Sequence, residues 1–126
     1  MQKTIKHLFL RSDGLIINLD FHKNILRGFA INVFTDDYSF ELYKENNEII
    51  ANIVSQNKKI KMFVELSELN DTFFVFNLAD EKYAIASFLE FASFLDNLLD
   101  NRFSDIFSII RRKITEEKIY VYYALA

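Results

Sequence analysis

An aspartate and a histidine lie two residues apart at Asp20 and His22. If the chain is extended there, both side chains project from one face of a strand. An Asp–His pair can act as a general base or supply two ligands to a metal ion. The other histidine, His7, lies on a different predicted strand, and we recognise no third partner. We therefore interpret His22 as a surface or rim histidine, because the pair lacks groups that orient it and bind a substrate.

The residue types give little indication of serine, phosphate-loop or cysteine chemistry. The chain has no G-x-S-x-G sequence, and its two glycines are too few for a phosphate-binding loop. We interpret Gly14 as a turn glycine and Gly28 as a strand-bulge glycine. The absence of cysteine excludes disulfides, thiolate catalysis and cysteine-ligated zinc. The sequence thus predicts a protein that is not an enzyme, with no catalytic residue, no metal site and no cofactor.

Acidic residues are frequent near a predicted hairpin at Asn46-Asn47. Alternation along the strand before the turn puts Glu41 and Glu45 on one face, with Glu48 beyond the turn. These residues could form an acidic edge that binds a basic protein, or a solvated strand whose charges prevent aggregation. The set of candidate partner-binding residues comprises Asp36, Asp37, Glu41, Glu45 and Glu48.

The basic residues do not indicate a nucleic-acid-binding surface. The net charge is −3, and small basic clusters occur at 58–61 and 111–113. The first lies at a predicted hairpin end, and the second lies where it favours the negative end of a helix dipole. A nucleic-acid-binding protein usually has a more concentrated basic footprint. We predict no direct contact with nucleic acid.

Alternating apolar residues predict strands over the first two thirds of the chain. Asp13-Gly14 and Asn46-Asn47 have the turn chemistry that joins neighbouring strands into hairpins. The segment 72–78 is apolar on both faces, which predicts a central strand. The stretch 21–34 is ambiguous, because its first half has helical spacing while β-branched residues after Gly28 favour a strand.

Two helices are predicted towards the end of the sequence. The first spans about 79–100, with Asn77 or Asp80 as its N-cap, and the second spans about 102–115. The first helix has a wide apolar arc that suits packing on a sheet. Tyr83 and Phe94 lie off that arc, and Ile109 lies off the stripe of the second helix. These three side chains could belong to the core or form an exposed patch for a partner.

The order of these elements predicts one α+β domain over residues 1–126. Hairpins or a meander form a largely antiparallel sheet, two helices cover one of its faces, and "KIYVYYALA" adds a final strand. The first residues contain too short an apolar run for a secretory signal, and no segment approaches the length of a membrane span. We expect a soluble cytoplasmic protein that does not bind a membrane.

Three functional hypotheses remain open from the sequence. The first is a bacterial immunity or antitoxin-type inhibitor, whose acidic surface covers the active site of a cognate toxin such as a nuclease. The second is a secretion-chaperone-like homodimer, in which Tyr83, Phe94 and Ile109 hold an effector segment. The third is a small enzyme or ligand carrier with a cavity between sheet and helices, lined by Asp20 and His22. The partner is a toxin or effector protein in the first two, and the sequence leaves monomer or homodimer open.

Overall fold

The structure is a computed structural model that describes residues 4–65 and 74–126. Its sheet contains seven strands, and every neighbouring pair is antiparallel. The order across the sheet is β6-β5-β4-β3-β2-β1-β7, so the first six strands form a meander and the last strand joins the edge next to β1. The strands are β1 (Ile5–Ser12), β2 (Leu15–His22), β3 (Ile25–Phe34), β4 (Tyr38–Glu45), β5 (Glu48–Ser55), β6 (Lys58–Glu65) and β7 (Tyr120–Leu125).

Tight turns between the strands follow from residues that tolerate the left-handed conformation. Gly14 has φ 70°, and a Cβ atom there would lie 2.7 Å from the carbonyl oxygen of Phe34, so glycine is required. Lys23 and Asn24 have φ 51° and 63°, which places a turn inside the ambiguous stretch and makes both of its halves strands. Asn46 has φ 54° in the predicted β4–β5 turn. These turns bring consecutive strands side by side.

Gly28 lies at a bulge, as the sequence predicts. Asp20 is opposite Gly28, whereas the next residue, Phe21, is opposite Leu26, so β3 contains one extra residue, Arg27. The bulge keeps the apolar residues on both sides of it directed towards the core, since Leu26 and Phe29 are both buried.

Helices α1 (Glu81–Leu98) and α2 (Ser104–Glu116) cover one face of the sheet. Asp80 caps α1, because its Oδ1 accepts a hydrogen bond of 3.0 Å from the backbone N–H of Tyr83. The two helices bury one apolar stripe each against the strands. The buried helical side chains include Ala84, Phe88, Phe91, Leu95, Ile106, Phe107, Ile110 and Ile114. The predicted fold class, a largely antiparallel sheet with two helices and a final strand, is confirmed.

The prediction of a central strand at 72–78 is wrong for the part of this segment that the structure describes, which begins at Phe74. This part crosses the end of the β2–β3 hairpin and forms a single bridge, between Val75 and Ile25. The backbone N–H of Leu26 donates to the carbonyl of Phe74 at 2.7 Å. Phe76 is fully buried while Val75 is 61% exposed. The segment is apolar because it closes the end of the core, and its pattern resembles that of a strand for this reason.

Candidate functional site: the uncovered face of the sheet

Among the described residues, no helix or strand packs on the side of the sheet opposite the two helices. From β1 to β4 the buried side chains largely alternate with partly or fully exposed ones, and this buried set packs against the helices. In β5, three consecutive residues, Ile49, Ile50 and Ala51, are buried. We call the set directed away from the helices the open face. Its members on the five strands from β1 to β5 include Phe9, Arg11, Ile16, Asn18, Asp20, Ala30, Asn32, Glu41, Tyr43, Glu45, Glu48 and Asn52.

A groove runs along the middle of the open face because the side chains there are small. Asn18 is opposite Ala30, and Asp20 is opposite Gly28. On either side lie the larger Phe9 of β1 and Tyr43 of β4, which occupy the same row of the sheet. A cavity of about 500 Å³ is lined by residues of β2, β3 and β4 at this position. The backbones of β1 and β4 are three strand spacings apart, or roughly 14 Å.

Several large apolar side chains are exposed on the open face. It carries five of the ten large apolar residues that are exposed in the described part of the chain. They are spread from β6 at one edge of the sheet to β7 at the other, and exposed aromatic residues are typical of protein-binding sites. The five residues are Phe34, Val54, Phe63, Tyr120 and Tyr122.

The five predicted partner-binding residues do not form one cluster. Asp36 and Asp37 lie in the turn before β4, where Thr35 Oγ1 accepts from the backbone N–H of Asp37 at 3.3 Å. Glu45 lies at the other end of β4, directly opposite Glu48. Eight residues of extended chain separate Asp37 from Glu45, which is roughly 26 Å. The prediction that Glu41 and Glu45 share a face is confirmed, whereas the grouping of Asp36 and Asp37 with the Asn46-Asn47 hairpin is wrong.

Glu41 is held within the sheet by a neighbouring side chain. Its Oε1 accepts a hydrogen bond of 3.1 Å from Asn52 Nδ2, and the two residues are opposite each other in the β4–β5 pair. Glu45 and Glu48 are both exposed. Like charges directly opposite each other in a sheet repel. A positively charged partner would relieve that repulsion.

Asp20 contacts His7 rather than His22. The Nδ1 atom of His7 lies 2.8 Å from Asp20 Oδ1, and the two residues are opposite each other in the β1–β2 pair. His22 is exposed at the β2–β3 turn. The sequence places His7 and Asp20 on different predicted strands, but their contact depends on register, which spacing alone does not reveal. Since Asp20 is 67% exposed and His7 is 36% exposed at the side chain, this is a solvated surface pair.

Asp20, Glu45 and Glu48 lie at the same end of the open face. Asn18, Ala30, Tyr43 and Ile50 form one row across four strands. Each of the three acidic residues is two positions from a member of that row, towards the same end. We call these three residues the acidic end. The Lys44 ammonium also lies there and donates to the carbonyls of Arg27 and Asn46 at 3.1 and 2.8 Å.

The predicted patch of Tyr83, Phe94 and Ile109 is not continuous. Phe94 is partly buried, with its ring centroid 5.6 Å from that of Phe74 and 6.4 Å from that of Phe91. Ile109 is also partly buried against the core. Tyr83 is 49% exposed on the first turn of α1. Two of the three side chains therefore belong to the core.

A pocket lined by Asp20 and His22 between sheet and helices is not found in the described residues. The cavity beside Asp20 opens on the opposite side of the sheet, and His22 does not line it. Within the same residues, no group of three or more His, Cys, Asp or Glu side chains is placed to hold a metal ion. Neither described helix is long and apolar enough to cross a membrane.

Comparisons with protein families, with curated proteins and with solved structures give no match for this chain. The open face is therefore interpreted from its own residues and geometry.

Proposed function

We propose that this protein is a non-enzymatic, protein-binding inhibitor of the immunity or antitoxin type. It acts in the bacterial cytoplasm and neutralises a cognate toxin by covering the toxin's active site with the open face. The observation that carries the proposal is the position of the acidic end, where Asp20, Glu45 and Glu48 lie beside the central groove.

The groove and the exposed aromatic residues supply the binding area. A convex segment of the toxin, such as a helix or a loop, enters between Phe9 and Tyr43 and contacts the small residues of β2 and β3. Phe34 lies on β3, four residues from Ala30 and away from the acidic end, and Phe63 lies on β6 in the same row as Tyr43; they are 49% and 58% exposed. Aromatic side chains bury large areas with little loss of side-chain entropy, so they suit the centre of such an interface.

The acidic end makes the protein specific for a basic partner. A toxin that acts on nucleic acid has a basic active site, and negative charge at one end of the open face attracts and orients it. Asp36 and Asp37 also add negative charge, but from the far end of β4. Glu45 and Glu48 thus lie at the same end of the open face as Asp20, which lines the groove, whereas Asp36 and Asp37 lie beyond the other end of β4.

This separation gives a matched experiment with a partner isolated by pull-down from the native host. We expect Glu45→Lys with Glu48→Lys to slow association about tenfold and to weaken its salt dependence, because favourable long-range attraction is lost. The same charge change at Asp36 and Asp37 serves as the control and should alter the association rate less than about twofold. The partner's toxic activity is measured with each variant.

Two results would contradict the proposal. One is an equal effect of the two double variants on association, since the acidic end would then have no special position. The other is a partner whose activity is unchanged when the wild-type protein is bound, since the protein would then not be an inhibitor.

A further inference from the structure

The two edges of the sheet differ in their charge. β6 forms one edge and contains Lys58, Lys59 and Lys61. β7 forms the other edge, with the sequence YVYYAL, and is the only described strand without a charged residue. Lysine on an edge strand is a common protection against pairing with another chain. β6 has this protection within the strand, whereas the lysine nearest to β7 in the sequence, Lys118, precedes the strand and lies over the Tyr120 ring at 5.1 Å.

The side chains of β7 are also apolar and accessible. Tyr120 and Tyr122 project to the open face and are 46% and 57% exposed. Leu125 is 60% exposed. An apolar edge strand of this kind is suited to the addition of another strand, because backbone hydrogen bonds and side-chain burial then act together.

We propose that β7 pairs in antiparallel fashion with β7 of a second copy of this chain, which joins two seven-stranded sheets into one of fourteen strands. A second copy fits because an uncharged apolar strand then opposes another uncharged apolar strand, and neither β7 brings a lysine or a carboxylate of its own into the strand pair. Pairing with β6 of another copy would instead place β7 against the strand that carries Lys58, Lys59 and Lys61, and lysines on an edge strand oppose the addition of another strand.

The symmetry of this contact closes the assembly at two copies. Antiparallel pairing of identical strands is two-fold symmetric, so each copy uses the same edge and no free apolar edge remains. The edges of the dimer are then the two lysine-bearing β6 strands. With the two-fold axis perpendicular to the sheet, both open faces lie on the same side, and Tyr120 and Tyr122 of both copies lie at the centre.

The contact area implies a moderate affinity. A single pair of six-residue strands buries less than the roughly 1,200 Å² that is typical of stable interfaces. We therefore expect a dissociation constant in the micromolar range, roughly 1 to 100 μM, and a monomer at lower concentration.

Sedimentation velocity over a range of concentrations tests the proposal with a matched pair of variants. Tyr122→Lys places a charge on β7, where the lysines of the two copies would lie close together across the two-fold axis. Phe63→Lys makes the same change at an equally exposed aromatic residue on β6, 58% against 57%. We expect the wild type and Phe63→Lys to dimerise, and Tyr122→Lys to weaken dimerisation at least tenfold.

Three outcomes would overturn the proposal. They are a wild-type monomer at about 1 mM, a dimer that survives Tyr122→Lys, and an equal loss of association in both variants. Circular dichroism of each variant shows whether it is folded, and Leu125→Lys provides a second charged variant on the same edge if Tyr122→Lys does not fold. The proposal is independent of the function proposed above, because its readout requires no partner protein.

Discussion

Tyr38 is the residue at which burial has its clearest effect on an ionisable group. Its side chain is partly buried and lines a cavity of about 380 Å³ with Phe103 and Asp105 at the start of α2. Burial raises the pKa of Tyr38 above its ordinary value of 10, and the nearby carboxylates of Asp105 and Asp37 raise it further. Both effects disfavour the phenolate form in the folded protein.

This shift predicts a loss of stability at alkaline pH. Because the folded protein holds the Tyr38 proton more tightly than the unfolded chain, the contribution is complete below pH 10 and is lost as the pH rises through the pKa of the folded state. We expect the free energy of unfolding to fall more steeply above pH 10 in the wild type than in Tyr38→Phe. Urea unfolding at a series of pH values measures the free energy of unfolding. An equal decrease with pH in the two proteins would contradict this explanation.

At the scale of elements, residues 74–78 show how a short stretch can be part of the core without being a strand of the sheet. Phe76 contacts the rings of Phe21 in β2 and Phe91 in α1, with centroids 5.1 and 5.8 Å away. The backbone N–H of Phe76 donates to the carbonyl of Asn24 at 3.1 Å. The segment thus connects the β2–β3 hairpin to the helical layer.

Substitutions at adjacent residues of this segment should lower the free energy of unfolding by very different amounts. We expect Phe76→Ala to lower the free energy of unfolding by about 3–5 kcal/mol, because it leaves a cavity among aromatic rings. Val75→Ala, at a side chain that is 61% exposed, should change it by about 0.5 kcal/mol or less. Denaturant unfolding of both variants makes the comparison, and similar losses would show that Phe76 is not a core residue.

At the scale of the whole molecule, the described residues form a sheet with one covered face and one uncovered face. The core lies between the sheet and the two helices, and the open face carries half of the exposed large apolar residues in the described part of the chain. The strands in the middle of the sheet have neighbours on both sides, while β6 and β7 have one each. Stability is therefore expected to decrease from the central strands to the edges.

Hydrogen exchange followed at two protein concentrations makes this expectation testable. Amides in β2 and β3 should exchange slowest at both concentrations, since their opening requires disruption of the core. Amides in β7 should exchange faster when the protein is dilute and become more protected at concentrations where the proposed dimer forms. Amides in β6 serve as the internal control, and a concentration dependence there would indicate a different contact.

Most of the elements could be predicted because local chemistry determines them. Asp13-Gly14 and Asn46-Asn47 make turns through their own backbone preferences, and Asp80 caps α1 through a hydrogen bond three residues away. The segment 21–34 was ambiguous because Lys23-Asn24 is a less evident turn than one with glycine. The candidate site was harder to predict. Asp20 contacts His7 across a strand pair, and the acidic end joins residues from three strands.

The sequence alone determined the fold class, the turns at Asp13-Gly14 and Asn46-Asn47 and most of the strands, and it reduced the N-cap of the first helix to Asn77 or Asp80. These depend on interactions between residues close together in the chain, which composition and periodicity record. Tertiary structure decided which side of the sheet stays uncovered, which edge lacks charge and which of the five predicted acidic residues lie together. Those features depend on strand order and register, which arise from contacts between residues far apart in the chain.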